Sequence, residues 1–161
     1  CPTVAGGWLM TATALAHLYP DALPERGGIK VELRGSQDEG TEGVCAKVAG
    51  LITGAAGPGG FKGIAGRHER RNLLAFGVPI EGRMRFARLD TQQAIEVDCR
   101  PERWPMPPDM KQLMSHAIGP AASDEQRRAL RRRWQDCVKA ILIDGRDDPD
   151  RVGVVGASTA S

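Results

Sequence analysis

The sequence predicts an α+β fold: helices packed on a mostly antiparallel sheet in a single layered domain. Three observations predict it. Apolar residues recur at helical spacing near both ends of the chain, they alternate at strand spacing in the middle, and Gly- and Pro-rich turns separate the two patterns. The 161 residues suit one domain with a core of its own.

Residues 3–19 read as a helix. Val4, Trp8, Leu15, Leu18 and Tyr19 fall on one stripe, and Pro2 suits a first turn. Ala5, Gly6 and Gly7 are small enough to let another backbone come close, and Pro20, Pro24, Gly27 and Gly28 end the element. In residues 29–33, Ile29, Val31 and Leu33 alternate with Lys30 and Glu32, as in a half-buried strand. A polar loop over 35–43 leads to a second helix over 44–53, with Val44, Val48, Leu51 and Ile52 as its apolar face and Gly54 as its stop. The run from Gly54 to Gly60 is too rich in glycine for regular structure.

Residues 72–76, 84–89 and 94–99 read as three strands forming an antiparallel meander. Four prolines over 100–108, around Trp104 and Met106, predict an extended crossing. A short helix over 109–119 and a long one over 123–143 follow. Ser123 and Gln126 have the spacing of a capping box, and Leu130, Trp134, Cys137, Val138 and Ile141 make the long helix's buried stripe. The domain is expected to span 1–143. Residues 144–161 read as a partly flexible tail in which 152–155 add a short strand and 156–161 fray.

Charge and cysteine usage narrow the function classes. With 22 basic and 20 acidic residues the net charge is +2, too balanced for bulk attraction to nucleic acid or lipid. No apolar run approaches the roughly 18 residues of a membrane span. Cys1, Cys45, Cys99 and Cys137 are widely separated with no CxxC pair, which points to a reducing compartment and so to the cytoplasm. The chain opens at Cys1 without methionine. Three explanations stand open: a start downstream of the true N-terminus, processing that exposes Cys1 as a nucleophile, and a lipid-bearing Cys1. Pro2 stiffens the neighbouring residue and counts against the last two.

The most informative pattern is two cysteines at two helix beginnings, Cys1 and Cys45. Free N–H groups and the helix dipole favour thiolate there, the form that binds zinc or attacks an electrophile. If the two helix starts converge on one hollow, the thiolates and a nearby histidine make a metal site. The plain alternative is that both are small buried hydrophobes. His68, behind the Gly-rich loop, is a candidate ligand or general base, against a solvated loop histidine. His17 lies roughly 24 Å along its helix from Cys1, too far to share a metal, and His116 is assigned to a solvated helix face.

Gly57, Gly59 and Gly60 sit in a loop whose amides can cradle an anion or cofactor, against a flexible connection next to the site, and the order of a phosphate-binding GxxxxGK[ST] loop is missing. Asp38, Glu39 and Glu42 precede Cys45 and are candidates for a carboxylate ligand or base, against a solvated acidic loop, with Glu42 placed well enough to test. Cys99 and Cys137 read as packing residues. Arg127, Arg128, Arg131, Arg132 and Arg133 decorate the long helix; they form a solvated face or dimer rim, or else a surface for nucleic-acid phosphates or a protein partner.

The stretch CPTVAGGWLM at residues 1–10 resembles the opening of the FmdE family of formylmethanofuran dehydrogenase proteins, where a Cys-Pro start leads into a helix with a small, Gly-containing turn. VCAKVAGLITG at 44–54 resembles that family's second block, a Cys-Ala start, an apolar helix and a Thr-Gly stop before a Gly-rich loop. The segments 70–76 and 84–89 sit where the family continues, so the resemblance covers about the first hundred residues. It implies an α+β domain, a homodimer, and a bound metal, usually zinc. The implied ligands here are Cys1 and Cys45, with the family's His-Gly-His stretch lying upstream of residue 1. The family name implies a role near one-carbon and formyl chemistry. Three departures stand out: Val48 replaces an acidic residue, Gly54-Ala55-Ala56 replaces a Gly-Cys-Thr turn, and no zinc-finger module follows.

The leading expectation is an FmdE-like protein holding zinc, or a metal-containing or small-molecule ligand, through Cys1 and Cys45. The alternatives are a metal-free enzyme using Cys1 or Cys45 as nucleophile with His68 as base, and a binding module built on the arginine-rich helix.

Overall fold

The computed structural model describes residues 1–159 and has the expected α+β architecture. Four helices, α1 (Pro2–Leu18), α2 (Glu42–Thr53), α3 (Met110–Ile118) and α4 (Asp124–Lys139), accompany a sheet of β1 (Ile29–Leu33), β2 (Leu74–Ala75), β3 (Met84–Arg88), β4 (Gln93–Cys99) and β5 (Val152–Thr159). Pro2 occupies the first turn of α1, where its missing N–H costs no hydrogen bond. Gly54 ends α2 in the left-handed region, φ +80°, with its amide bonded to Gly50 O. The capping box of α4 is formed in both directions, Ser123 Oγ accepting from the Gln126 amide and Gln126 Oε1 from the Ser123 amide. α4 then widens into a π-type turn, Ala140–Asp144.

The strand order is β2-β1-β3-β4-β5. This corrects the expected meander. β1 lies between β2 and β3, so the segment around Leu74 pairs with Val31 and runs parallel to it, while the other neighbours are antiparallel. The reason is the crossover through α2 and the Gly-rich loop, which returns the chain to the far side of β1 in β1's own direction. The tail also differs. β5 pairs with β4 from Val152↔Cys99 to Thr159↔Gln93, with a bulge opposite Glu96 and Val97. Residues 156–159 are thus a strand instead of frayed chain; 160 and 161 lie outside the described residues.

Alternation along the strands sends Ile29, Val31, Leu33, Met84, Phe86, Ile95 and Val97 into one core with Leu9, Met10 and Ala14 of α1. The opposite side carries charge: Glu32, itself buried, is held by Lys30 at 2.7 Å and Arg85 at 2.6 Å.

Two glycines set how α1 meets its neighbours. A Cβ on Gly7 would stand 3.3 Å from Cys45 Cα, so α2 crosses α1 at backbone contact there. A Cβ on Gly6 would be 2.7 Å from the Trp104 ring, which lies on α1 from the proline-rich crossing. That crossing departs from the expected extended chain at three points: a 3₁₀ turn over Pro101–Arg103, a bend at Trp104, and a turn at Pro108 that leads into α3.

Candidate functional site

The helix pairing at Gly7 places Cys45 beside a group of polar side chains inside the domain. Thr41 and Glu42 begin α2, and Cys45 lies on its first turn. Arg83 stands just before β3, and Cys99 closes β4. The Arg83 guanidinium joins Glu42, Thr41 and Cys99: Nε donates to Glu42 Oε1 at 2.8 Å, Nη2 to Thr41 Oγ1 at 2.7 Å, and Nη1 to Cys99 Sγ at 3.4 Å. Both charged side chains are largely out of water, at 15% exposure for Arg83 and 13% for Glu42. Glu42 Oε2 and Trp104 Nε1 are buried without a protein partner.

Burial governs the electrostatics. It pushes the Cys45 thiol up to about 11, against the opposing pull of Arg83, and Cys99 and Glu42 push the same way as burial. Burial also raises Cys99, again opposed by Arg83. Burial works to lower Arg83, but Cys45, Cys99 and Glu42 together hold it above its ordinary value. The expected thiolate at a helix start is therefore not realised for Cys45. Its amide already donates to Thr41 O at 3.1 Å, and its side chain is sealed at 1% exposure.

A pH dependence follows for the metal-free chain. The folded state keeps a proton on Cys45 that the unfolded chain releases near its ordinary thiol value, so stability falls as pH rises between about 9 and 11. Urea unfolding across that range should lose on the order of 2 kcal/mol, and Cys45→Ala should flatten the fall.

Cys1 is elsewhere. It is the exposed N-cap of α1 and makes no side-chain cap bond. It lines an apolar cavity of about 340 Å³ with Val4, Trp8, Val48, Leu51 and Leu142, and Cys45 is not on that wall. Cys1 and Cys45 thus do not line one hollow, and Cys99 is instead among the groups that act electrostatically on Cys45. His68 joins neither cysteine through a hydrogen bond; its Nδ1 lies 3.3 Å from Glu25 Oε1 on the surface. His17 bonds Thr13 O within its own helix, and His116 is exposed on α3.

The Gly-rich loop is laced to the chain that follows it. The amides of Ala55, Ala56 and Gly60 are taken by Thr53 Oγ1, Arg70 O and Gly57 O. A Cβ on Gly60 would meet Ala56 and Arg71 within 3 Å, whereas Gly57 and Gly59 face open space. Among the described residues, no three His, Cys, Asp or Glu side chains are arranged to hold a metal ion. No described helix is long and apolar enough to cross a membrane.

Sequence reasoning missed Arg83, Thr41 and the role of Cys99. One signal was present for Cys99: it shares the inward parity of Ile95 and Val97, and so faces the helices. Nothing in the residues around Arg83 marks it as the hub. No protein-family model matches the chain, and no curated protein matches its sequence.

Proposed function

We propose that the chain is an FmdE-like metal-binding protein in which Cys45 supplies the principal thiolate, with Cys99 as the neighbouring sulfur. One observation carries the reading: a thiol (Cys99), a carboxylate and a hydroxyl accept hydrogen bonds from a single cation, Arg83, which also acts electrostatically on the buried Cys45, while one carboxylate oxygen stays unpartnered. Sulfur and carboxylate donors of this kind suit zinc. Further support comes from the two FmdE-like blocks, which open α1 and α2, the helices that meet at Gly7 and Cys45.

The fit is incomplete as the side chains stand. Arg83 occupies the middle of the donor set, and the donors present do not form a ligating array of three. If zinc binds here, Cys45 and Cys99 would hold it as thiolates and Glu42 as a carboxylate, with donors beyond these residues completing the set. No reaction is assigned to the site. A cysteine nucleophile with His68 as base is less well supported, because Cys45 is buried and protonated at neutral pH and His68 is paired with Glu25.

Titrating the reduced chain with Co²⁺ as a zinc substitute tests the proposal. A thiolate-to-cobalt charge-transfer band is expected, with proton release. Cys45→Ser should abolish it, Cys99→Ser should weaken it, and His68→Ala should leave it unchanged. A band that persists in Cys45→Ser, or no band at all, overturns the reading.

A further inference from the structure

The α3–α4 hairpin carries a surface that the thiol site does not use. The two helices pack chiefly on each other and only lightly on α1. Of the α4 side chains, Cys137 alone is fully buried. Between the helices runs an apolar groove of about 400 Å³, lined by Met114, Ile118, Leu130 and Trp134 with Arg131 at its border. Ile118 is 70% exposed, an unusual position for a large aliphatic side chain beside an open apolar groove.

The charge around the groove has one sign over most of its length. On α4, Arg127 and Arg131 fall on the same stripe as Leu130 and Trp134, and Arg128 lies next to it. On α3, Lys111 falls one turn from Met114, on the Ile118 side. Arg127, Arg128, Arg131 and Lys111 are all exposed. Asp124 reaches this border at the tip of α4, and Asp109 is tied to Arg133 at 3.5 Å on another side of the hairpin.

We propose that this groove docks an acidic amphipathic helix of another protein. An apolar floor takes the i, i+4 and i+7 anchors of such a helix, and the bordering cations meet its carboxylates. The shape decides against the two other partners of a basic face. The groove is concave, whereas a lipid surface requires apolar groups that protrude. Nucleic acid would use the arginines but leave the apolar floor empty, and the floor offers one partly covered aromatic ring in place of a stacking series.

The test uses the whole chain and a synthetic peptide of about 15 residues, with leucines at helical spacing and glutamates along both flanks. Binding is followed by tryptophan fluorescence, since Trp134 lines the groove. Saturable binding is expected, weakening about tenfold in Ile118→Asp and about fivefold in Arg131→Glu. Both side chains are exposed, so circular dichroism should show both variants folded. A peptide with lysines in place of the glutamates should not bind. The proposal is overturned if the acidic peptide does not saturate, or if the lysine peptide binds equally. It is also overturned if binding is confined to anionic phosphatidylglycerol vesicles, or to a single-stranded oligonucleotide whose affinity Ile118→Asp leaves unchanged.

Discussion

Replacing Arg83 with methionine is expected to cost the fold about 3 kcal/mol, among the largest losses available to a single substitution here. The guanidinium is the shared donor for Glu42, Thr41 and Cys99, and its removal strands a carboxylate at 13% exposure. Methionine fills similar volume, so the loss reports charge and hydrogen bonding, not a cavity. Adding Glu42→Gln to Arg83→Met should recover a large part of it, because the buried charge is then gone. Urea denaturation of the four members of this cycle measures the coupling directly. Equal and additive losses from the two single changes would show that the pair is only incidentally close.

Gly6→Val is expected to destabilise by about 3 kcal/mol through a different cause. A side chain at position 6 enters space held by the Trp104 ring, whose Cη2 and Cζ2 atoms stand 2.7 Å from where a Cβ would be. Because Trp104 is 9% exposed and followed directly by Pro105, its ring cannot step aside as a surface side chain would. The helix gains slightly from losing a glycine, but by under about 1 kcal/mol, so the clash wins. In a Trp104→Ala background the same Gly6→Val change should cost little. Thermal unfolding of both single variants and the double variant checks this, and a full penalty persisting without the indole would refute the steric account.

Most of the fold was legible in the sequence because its signals are local. The alternation in 29–33 and the cap at Ser123 are written in neighbouring residues, and both appear where they were expected. Sheet order was not legible. Whether Leu74 pairs with Val31 or with β3 depends on how the chain returns through α2, and the two-residue β2 carries too little pattern to decide. The strand beyond Val155 was missed for a related reason: Gly156, Ala157, Ser158 and Thr159 have little strand character of their own and are ordered by the ladder that β4 offers.

The candidate site was legible in part. Cys45 and Glu42 stood out because both lie near a helix start. A hollow shared by Cys1 and Cys45 was expected because Cys1 also lies at a helix start, but sequence spacing gives no direction in space. Cys1 faces the apolar cavity beside Leu51, while Gly7 brings Cys45 against the inner side of α1. The high thiol value also has a non-local cause. The dipole of α2 is a property of the segment, but the seal over Cys45 comes from packing of distant elements that no local reading contains.

The pairing of β5 with β4 also bears on biosynthesis. Leu9 and Val152, far apart in the sequence, belong to the same core. Until Val152–Thr159 leaves the ribosome, β4 presents a naked row of amides and carbonyls, and α1 waits beside an unfinished wall. The nascent polypeptide therefore cannot close its interior vectorially. It must hold α1 in reserve for a strand not yet synthesised, so part of that helix's apolar face stays open to water until β5 arrives.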